Sequence, residues 1–366
     1  MTLATRRSTL KLIAAGTGLV AAPGLVRPAW AQSKVVNITT YDKFVPQSFV
    51  DQFEKETGIK VNIRLTDDQG KQYNLLSAEG ANPSTDIVTV TGHRLSQFIK
   101  GGLIAPLDTA KLPHWGTGLA PAYAGGKQLE VDGKVYGVPL LFGFEGLVRN
   151  TDYTEPSDSW AIMFDEKYKG QTSYILSDFL SIVMKYMGDD GDFVIYEGKP
   201  AEAKAAIDKA QKFLIEHKDM VRKYYDAGSE VQQMLINEDV YVAQTWSGPA
   251  AKLIMDGHPM ELSVPKEGTY GFLYSFNVVE NAPNAEAAYQ FLDALLAHSA
   301  EVGAAQTRAS GFASALAGVA DKLTDKERAA LSLPDEQMER IIFFSPLNRD
   351  MKNEMLDAAV TAIKAS

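Results

Sequence analysis

The chain has 366 residues, of which 45% are hydrophobic and 22% charged, and its formal net charge is -10. This composition excludes a disordered chain and a multi-span membrane protein, and the length is that of two domains. The absence of cysteine excludes disulfides, thiolate metal sites and a cysteine nucleophile. Residues 1–31 contain four basic residues and no acidic one, so the rest of the chain is more acidic than the whole. This negative charge disfavours binding to nucleic acid or to anionic lipid, and it is compatible with a cationic ligand.

The first predicted element is an export signal over residues 1–31. Arg6 and Arg7 precede an apolar stretch at residues 12–26, and the segment ends in Ala-Trp-Ala at 29–31. A basic start, a short apolar middle and a small-residue end are typical of a cleaved signal, and the paired arginines favour the twin-arginine route. The apolar stretch is too short and interrupted to predict a membrane anchor. We therefore expect a mature chain that begins near Gln32 and is periplasmic.

A first α/β region follows. The apolar segment 35–38 predicts a strand, Pro46 begins a helix that Gly58 ends, and strict alternation over 59–65 predicts a second, half-buried strand. This strand–helix–strand order predicts a parallel pair within a sheet. Further along, the pattern predicts a strand at 87–90, a helix at 94–100, and a strand at 135–139 that runs into a connecting segment, 140–149.

The second half also alternates strands and helices. We predict a strand at 173–176, helices at 178–186 and 200–217, and a strand at 240–246 that ends in a Ser-Gly-Pro turn. A strand at 272–279 is expected to return to the first sheet. Asn284 is expected to cap a helix with Ala288, Phe291, Leu292 and Leu295 on its core face, and a last amphipathic helix is predicted at 349–364. No long linker separates the two halves, so we expect paired strands to join them.

The sequence lacks the motifs of common catalytic and metal sites. Its five histidines are not at metal-ligand spacing, and it has no G-x-S-x-G elbow, P-loop or kinase-like motif set. An exported two-domain α/β protein without such groups is predicted to bind rather than to catalyse. We expect no catalytic residues, no metal and no cofactor.

Short segments along the chain resemble the solute-binding proteins of spermidine/putrescine-type ABC importers, within the bacterial extracellular solute-binding protein family. Each segment is unspecific alone, and their shared order over nearly the whole mature chain carries the resemblance. In chain order they are residues 41–46, 53–61, 86–88, 102–104, 136–139, 168–170, 246–248 and 265–268.

The resemblance implies an α/β, two-lobe periplasmic-binding-protein fold of type II, with a central cleft and two hinge crossovers. We place the first lobe at residues 32–143 plus 276–316 and the second at 144–275 plus 317–366. The hinge is expected near residues 143–146 and in the strand 272–279, because the chain should pass between the lobes there.

In this family the ligand lies in a box of aromatic side chains, with carboxylates that hold protonated amines. Two positions depart from that pattern, because the acid expected beside Phe44 is Lys43 and the central aspartate is Tyr274. Both losses argue against a linear polyamine, which needs a carboxylate at each end. The matching positions predict these ligand-binding residues: Tyr41, Phe44, Thr91, His93, Asp178, Trp246, Phe272, Tyr274 and Phe312.

Considered without the resemblance, Asp178 and Trp246 are the strongest ligand residues. Trp246 ends a predicted strand, where α/β ligand sites form, and its ring can hold an ammonium group. Asp178 either supplies the opposite charge or caps a helix, and both roles are compatible. A lone aromatic residue is more often part of a core. Lys43 and Arg94 are either solvated charges or, together with His93, contacts for the anionic end of a zwitterion.

These observations predict the periplasmic substrate-binding component of an ABC importer, which captures a small amine by lobe closure. The ligand would be polyamine-like, a quaternary ammonium or an amino-zwitterion, and the protein partners would be membrane permease subunits that engage a monomeric receptor transiently. Two alternatives stay open: a receptor of the same fold for an anionic or other small solute, and an exported enzyme that reuses the fold with His93 as its base.

Overall fold

The computed structural model describes residues 35–66, 68–345 and 349–366, without the side chains at 349 and 350. The predicted export signal therefore lies outside the described residues. Within the described ranges, no helix combines the length and the apolar character that crossing a bilayer requires.

The strands range from two to thirteen residues, and the longest is β6. They are β1 (Val35–Thr40), β2 (Lys60–Leu65), β3 (Ile87–Thr91), β4 (Glu130–Val131), β5 (Lys134–Val135), β6 (Val138–Asn150), β7 (Thr172–Tyr174), β8 (Val221–Tyr224), β9 (Val242–Trp246), β10 (Met260–Ser263), β11 (Thr269–Val278), β12 (Ala313–Ser314) and β13 (Ile341–Phe343).

The helices surround these strands and are separated by short 3-10 turns. They are α1 (Gln47–Thr57), α2 (Gln69–Glu79), α3 (Leu95–Lys100), α4 (Leu176–Tyr186), α5 (Pro200–Glu216), α6 (Gly228–Ile236), α7 (Ser247–Asp256), α8 (Ala285–Ala297), α9 (Ser299–Ser310), α10 (Asp325–Leu331), α11 (Asp335–Met338) and α12 (Arg349–Ala365).

One mixed sheet contains most of the strands, in the order β2-β1-β3-β11-β6-β9-β7-β8. β1 is parallel to β2 and β3, and β7 is parallel to β8 and β9. Between these two parallel groups, β11 and β6 run antiparallel to each other along most of their length. The parallel β1–β2 pair confirms the predicted strand–helix–strand unit, and the β11–β3 pairing confirms that the strand near 272–279 returns to the first sheet.

Two main cores flank the long antiparallel pair. The first core contains Leu141 of β6 and Phe276 of β11, together with the apolar faces of α1 and α8. The second core contains Leu147 of β6 and Tyr270 of β11, together with the apolar faces of α4, α5 and α12. Each of the two central strands therefore contributes one end to the first core and the other end to the second.

β6 is the largest difference from the predicted elements. Residues 140–149 were predicted to be a connecting segment, whereas the strand continues through them from Val138 to Asn150. Nearly every residue of this run is buried, as expected for a strand that has neighbours on both edges and packs on both faces. An apolar run of this kind is typical of a fully buried strand, and residues 140–149 form one instead of a connecting segment.

Three smaller predictions need correction. The N-cap of α4 is Ile175, so Asp178 is the third residue of the helix and does not cap it. The sequence at 247–249 is the first turn of α7, because the helix begins directly after Trp246. β2 is an edge strand that is more exposed than its alternation predicted, and Leu65 is 60% exposed.

Candidate ligand-binding site

Five of the predicted aromatic residues form one cluster around the ring of Tyr274. Its ring centroid lies 5.6 Å from that of Tyr41, 4.9 Å from Phe44, 5.4 Å from Phe272 and 5.7 Å from Phe312. These contacts are tilted or edge-to-face, which is the arrangement that aromatic quadrupoles favour. Tyr274 and Tyr41 keep part of their surface exposed, whereas the three phenylalanines are buried.

Two glycines make room for this cluster. A Cβ atom on Gly143 of β6 would lie 2.9 Å from the rings of Phe272 and Phe312, and one on Gly248 of α7 would lie 2.8 Å from Phe312. Contacts that short do not occur for real Cβ atoms, so a larger residue at either position would displace a ring. Phe44 is held from the other side, because Gln306 of α9 donates its Nε2–H to the Phe44 carbonyl oxygen at 2.6 Å.

Thr91 and His93 adjoin the cluster at the end of β3. Thr91 is buried and pairs directly with Tyr274 across the β3–β11 ladder. The Nε2 atom of His93 lies 3.4 Å from Thr91 Oγ1, and its ring centroid lies 5.7 Å from that of Phe344. The imidazole therefore lies between the first sheet and the chain segment that precedes α12.

Asp178 and Trp246 are joined by a direct hydrogen bond. The indole Nε1–H of Trp246 donates to Asp178 Oδ2 at 3.1 Å, and the hydroxyl of Ser177 donates to Oδ1 at 3.1 Å. Asp178 lies in the first turn of α4, where the helix dipole favours negative charge. Trp246 ends β9. Its half-buried side chain packs against the first core and also against a smaller core that contains residues of α6 and α7.

Glu145 is a functional candidate that the sequence reasoning missed. It lies on β6 directly opposite Trp246 and is 2% exposed. The Nε2–H of Gln244 donates to Glu145 Oε2 at 2.5 Å, and the opposite residue on β9, Trp246, bonds to Asp178. The available signal was a single acid within an otherwise apolar run, Phe-Gly-Phe-Glu-Gly-Leu, at 142–147.

The two carboxyl groups strongly perturb each other. Burial raises the pKa of Glu145 well above its ordinary value, and the charge of Asp178 raises it further. Burial also raises the pKa of Asp178, against the hydrogen bonds from Ser177 and Trp246 and the positive charge of Lys352. Burial is the main cause of the raised pKa of Tyr274, and the charges of Glu145 and Asp178 add to it.

Lys352 of α12 is a buried cation beside this acid pair. Its side chain is 4% exposed, its Nζ lies 3.3 Å from Asp192 Oδ1, and it lies 4.1 Å from the ring centroid of Phe344. An ion pair with this little exposure is stable only when both charges remain matched. The positive charge of Lys352 therefore acts on Asp178. The carboxylate of Asp192 neutralises the same lysine.

The two other predicted cations are not directed at the acid pair. Lys43 is exposed and has a left-handed backbone with a φ of 69°. Arg94 is half-buried, and its Nη1–H donates to Gln97 Oε1 at 3.1 Å. Among the described residues, no group of three histidine, aspartate or glutamate side chains is arranged to hold a metal ion. The described site therefore combines aromatic faces, hydroxyls and an acid pair, which suits a small organic cation.

Comparison with known proteins agrees with this architecture. The sequence model described as "Bacterial extracellular solute-binding protein" matches residues 48–331. A putrescine/agmatine-binding protein of Pseudomonas aeruginosa is 27% identical over 73% of this chain and 75% of its own length, and the putrescine-binding periplasmic protein PotF of Escherichia coli is 27% identical over 73% and 74%.

A solved structure described as a putative spermidine/putrescine ABC transporter from Listeria monocytogenes superimposes with a TM-score of 0.77. Its sequence is 21% identical, and the match covers 91% of this chain and 99% of that one. The likeness shows that the mixed α/β architecture is that of the periplasmic-binding-protein fold, as expected. Since the family match extends over most of the sequence, this chain belongs to the bacterial extracellular solute-binding protein family.

Proposed function

We propose that this protein is the periplasmic substrate-binding component of an ABC importer and that its ligand is a small amine. The observation that carries the proposal is the hydrogen bond from Trp246 to Asp178, with the buried Glu145 opposite Trp246 in the β6–β9 ladder, together with the aromatic cluster around Tyr274. Family membership supports the transport role, and the names of the two relatives support an amine as the ligand.

An ammonium group is the ligand that these side chains recognise best. Its N–H groups would donate to Asp178, and its charge would lie against the faces of Trp246 and Tyr274. Each cation–π contact contributes about 0.5–2 kcal/mol when water is excluded. Burial raises the pKa values of Glu145 and Asp178, so a cation bound beside them would offset the cost of ionising these carboxyl groups.

The two alternatives account for fewer of these contacts. A receptor for an anion would place the anion beside two carboxyl groups, because Lys43 is exposed and Arg94 is directed at Gln97. An exported enzyme would need a nucleophile, a base and an orienting acid together. His93 contacts Thr91 and Phe344, and the acid pair is held by Gln244 and Trp246.

We also retain the two-lobe arrangement as a proposal, with residues 32–143 plus 276–316 and residues 144–275 plus 317–366 closing on the ligand. The passage of β6 and β11 between the two cores supports a hinge at the predicted positions. Closure would create the surface that membrane permease subunits recognise. Export by the twin-arginine route and a monomeric receptor complete the proposal.

Calorimetric titration with amines tests the amine site directly. We expect one-to-one binding by the unmodified protein and a loss of about 2–5 kcal/mol in Asp178→Asn, the usual cost of removing one side of a buried charge pair. Asp208→Asn is the matched control, because Asp208 lies on α5 in an exposed ion pair with Lys204. It should bind as the unmodified protein does.

The outcome that would overturn the amine assignment is equally specific. If Asp178→Asn and Asp208→Asn bound every amine with the affinity of the unmodified protein, Asp178 would not contact the ligand. If polyamines, betaines and amino acids all failed to raise the melting temperature, the ligand would belong to another class, because a ligand that binds the native state must raise apparent stability.

A further inference from the structure

Gln244 of β9 connects two parts of the proposed site. It is fully buried. Its Nε2–H donates to Glu145 Oε2 at 2.5 Å, and its Oε1 accepts the backbone N–H of Ile175 at 2.9 Å. Because a backbone N–H can only donate, the atom of the amide that faces it must be the oxygen. The amide therefore has one orientation, in which Gln244 is the acceptor for Ile175.

The N–H that Gln244 accepts belongs to the N-cap residue of α4. Ile175 is that residue, and it is 4% exposed, so its N–H needs a partner within the protein. Asp178 is the third residue of the same helix. In a capping box, the side chain at the third position reaches back to the N-cap N–H. Asp178 would therefore be the local acceptor for this N–H if Gln244 were absent.

The carboxylate of Asp178 is directed elsewhere in the structure. Its Oδ2 accepts the indole N–H of Trp246 at 3.1 Å, and its Oδ1 accepts the hydroxyl of Ser177 at 3.1 Å. Trp246 lies two residues after Gln244 on β9, so the two side chains leave the strand on the same face. One face of β9 thus holds the first turn of α4 at two points, the N-cap N–H and the Asp178 carboxylate.

We propose that Gln244 is a positioning residue of the amine site: by accepting the Ile175 N–H, it keeps the Asp178 carboxylate available to Trp246 and to the ammonium group of the ligand. This inference rests on the proposed function and adds to it a residue that acts only through Asp178. The bond from Gln244 to Glu145 orients the amide, and the bond from Ile175 is the one on which the site depends.

Loss of this acceptor has a specific consequence. A buried N–H without a partner is costly, and a carboxylate in the same helical turn is a strong acceptor within its reach. A carboxylate that turns back to the Ile175 N–H moves away from the indole of Trp246. The ligand ammonium would then meet a carboxylate that is already bound to the backbone, and its affinity should fall.

Side-chain NMR of the ligand-free protein tests this positioning. The indole N–H resonance of Trp246 is assigned by its absence from Trp246→Phe, and a hydrogen bond to a carboxylate holds it at a high proton chemical shift. In Gln244→Leu, which has no acceptor for the Ile175 N–H, we expect this resonance to move to a lower proton chemical shift. The indole of Trp160 donates to the carbonyl oxygen of Gly268 and should not move. An unchanged Trp246 resonance in a folded Gln244→Leu would overturn the inference.

Calorimetric titration measures the consequence for binding. Putrescine, glycine betaine and 4-aminobutyrate are the probes, and each one that binds the unmodified protein is then titrated into the variants. We expect Gln244→Leu to lose about tenfold or more in affinity, the size of one hydrogen bond to a charged group. Gln171→Leu is the matched control, because Gln171 is half-buried directly before β7, at the opposite end of that strand from Ile175. It should bind as the unmodified protein does.

Two further variants separate positioning from general structural damage. Gln244→Glu keeps an oxygen for the Ile175 N–H and, as a protonated acid, can still donate to Glu145. We expect it to retain the Trp246 resonance and most of the affinity that Gln244→Leu loses. Ile175→Pro removes the N–H itself, and the φ of -79° at this residue suits proline. Added to Gln244→Leu, it should restore both the resonance and the affinity, because no N–H remains to draw Asp178 away.

Failure of this inference and failure of the amine function give different results. If none of the three probes binds the unmodified protein, the amine function fails, and the NMR comparison still decides whether Gln244 positions Asp178. If the probes bind Gln244→Leu as tightly as the unmodified protein, the positioning inference fails and the amine function stands. If Gln244→Leu does not fold, as loss of the Trp160 resonance would show, Gln244→Glu decides: a retained Trp246 resonance supports the inference, and a lost one overturns it.

Discussion

We expect Tyr274 to decide whether the proposed site can bind a second ammonium group. It lies at the centre of four other rings and pairs with Thr91 of β3. The family resemblance described in the sequence analysis implies an aspartate at this position, where this chain has Tyr274. The absence of that charge is the simplest reason to expect weak diamine binding.

Tyr274→Asp should therefore raise the affinity for putrescine. A carboxylate at this position would pair with the second ammonium, and we expect a gain of at least tenfold, or about 1.4 kcal/mol. The variant also loses ring packing, so its stability should fall by about 3–5 kcal/mol, as for other large-to-small core changes. Calorimetry and thermal denaturation measure the two effects separately.

Tyr274→Asn is the matched control for this prediction. Asparagine has nearly the same size as aspartate and removes the same ring contacts, but it brings no charge. It should lose stability without any gain in putrescine affinity. Equal putrescine binding by the two variants would mean that position 274 does not face the second ammonium.

At the residue scale, the aromatic residues that the sequence singled out come together in the structure. Tyr41 and Phe44 follow β1, Phe272 and Tyr274 belong to β11, and Phe312 directly precedes β12. Glu145 was not predicted. A single acid in an apolar run carries no local signal of its partner, and its partner Asp178 is more than thirty residues away, on α4.

The central strands show why some elements could be predicted and others could not. β1, α1 and β2 follow from local rules, since Pro46 precedes α1 and Gly58, with a φ of 73°, ends it. β6 is decided by its neighbours instead. An apolar run with two glycines and a proline has little intrinsic strand preference, and it becomes a strand because β11, β9, β10 and β12 all pair with it.

Helix α12 is held against the second core by the buried ion pair of Lys352 with Asp192. Asp192 also accepts the backbone N–H of Ser345 at 2.6 Å, so one carboxylate fixes both the helix and the segment before it. We expect Lys352→Met to lower the free energy of unfolding by about 3–5 kcal/mol, because it leaves a buried carboxylate unmatched. Equilibrium denaturation in urea measures this change.

Two further variants make the α12 prediction specific. Lys212→Met removes one partner of an exposed ion pair with Glu216 on α5 and should change the unfolding free energy by no more than about 1 kcal/mol. Lys352→Met combined with Asp192→Leu removes both buried charges and should recover much of the lost stability. A Lys352→Met variant as stable as Lys212→Met would show that the buried pair does not anchor α12.

At the scale of the whole molecule, the site lies where the two cores meet. The aromatic cluster packs on the first core, through Phe44, Phe272 and Phe312. Asp178 belongs to α4, whose apolar face lies in the second core. Both β6 and β11 contribute fully buried residues to the two cores, and Gly143 pairs with Phe272 where these strands adjoin the aromatic cluster.

An ammonium bound to Asp178 and covered by the rings around Tyr274 would therefore draw the two halves together by bending β6 and β11. We expect small-angle X-ray scattering to show a smaller radius of gyration when a tightly bound monoamine is added at saturating concentration. The change should be retained in Asp208→Asn. In Asp178→Asn, the same ligand concentration should leave the scattering curve close to that of the ligand-free protein, because binding is weakened. Identical curves with and without ligand in the unmodified protein, under conditions where calorimetry shows full occupancy, would contradict closure while leaving the binding site in place.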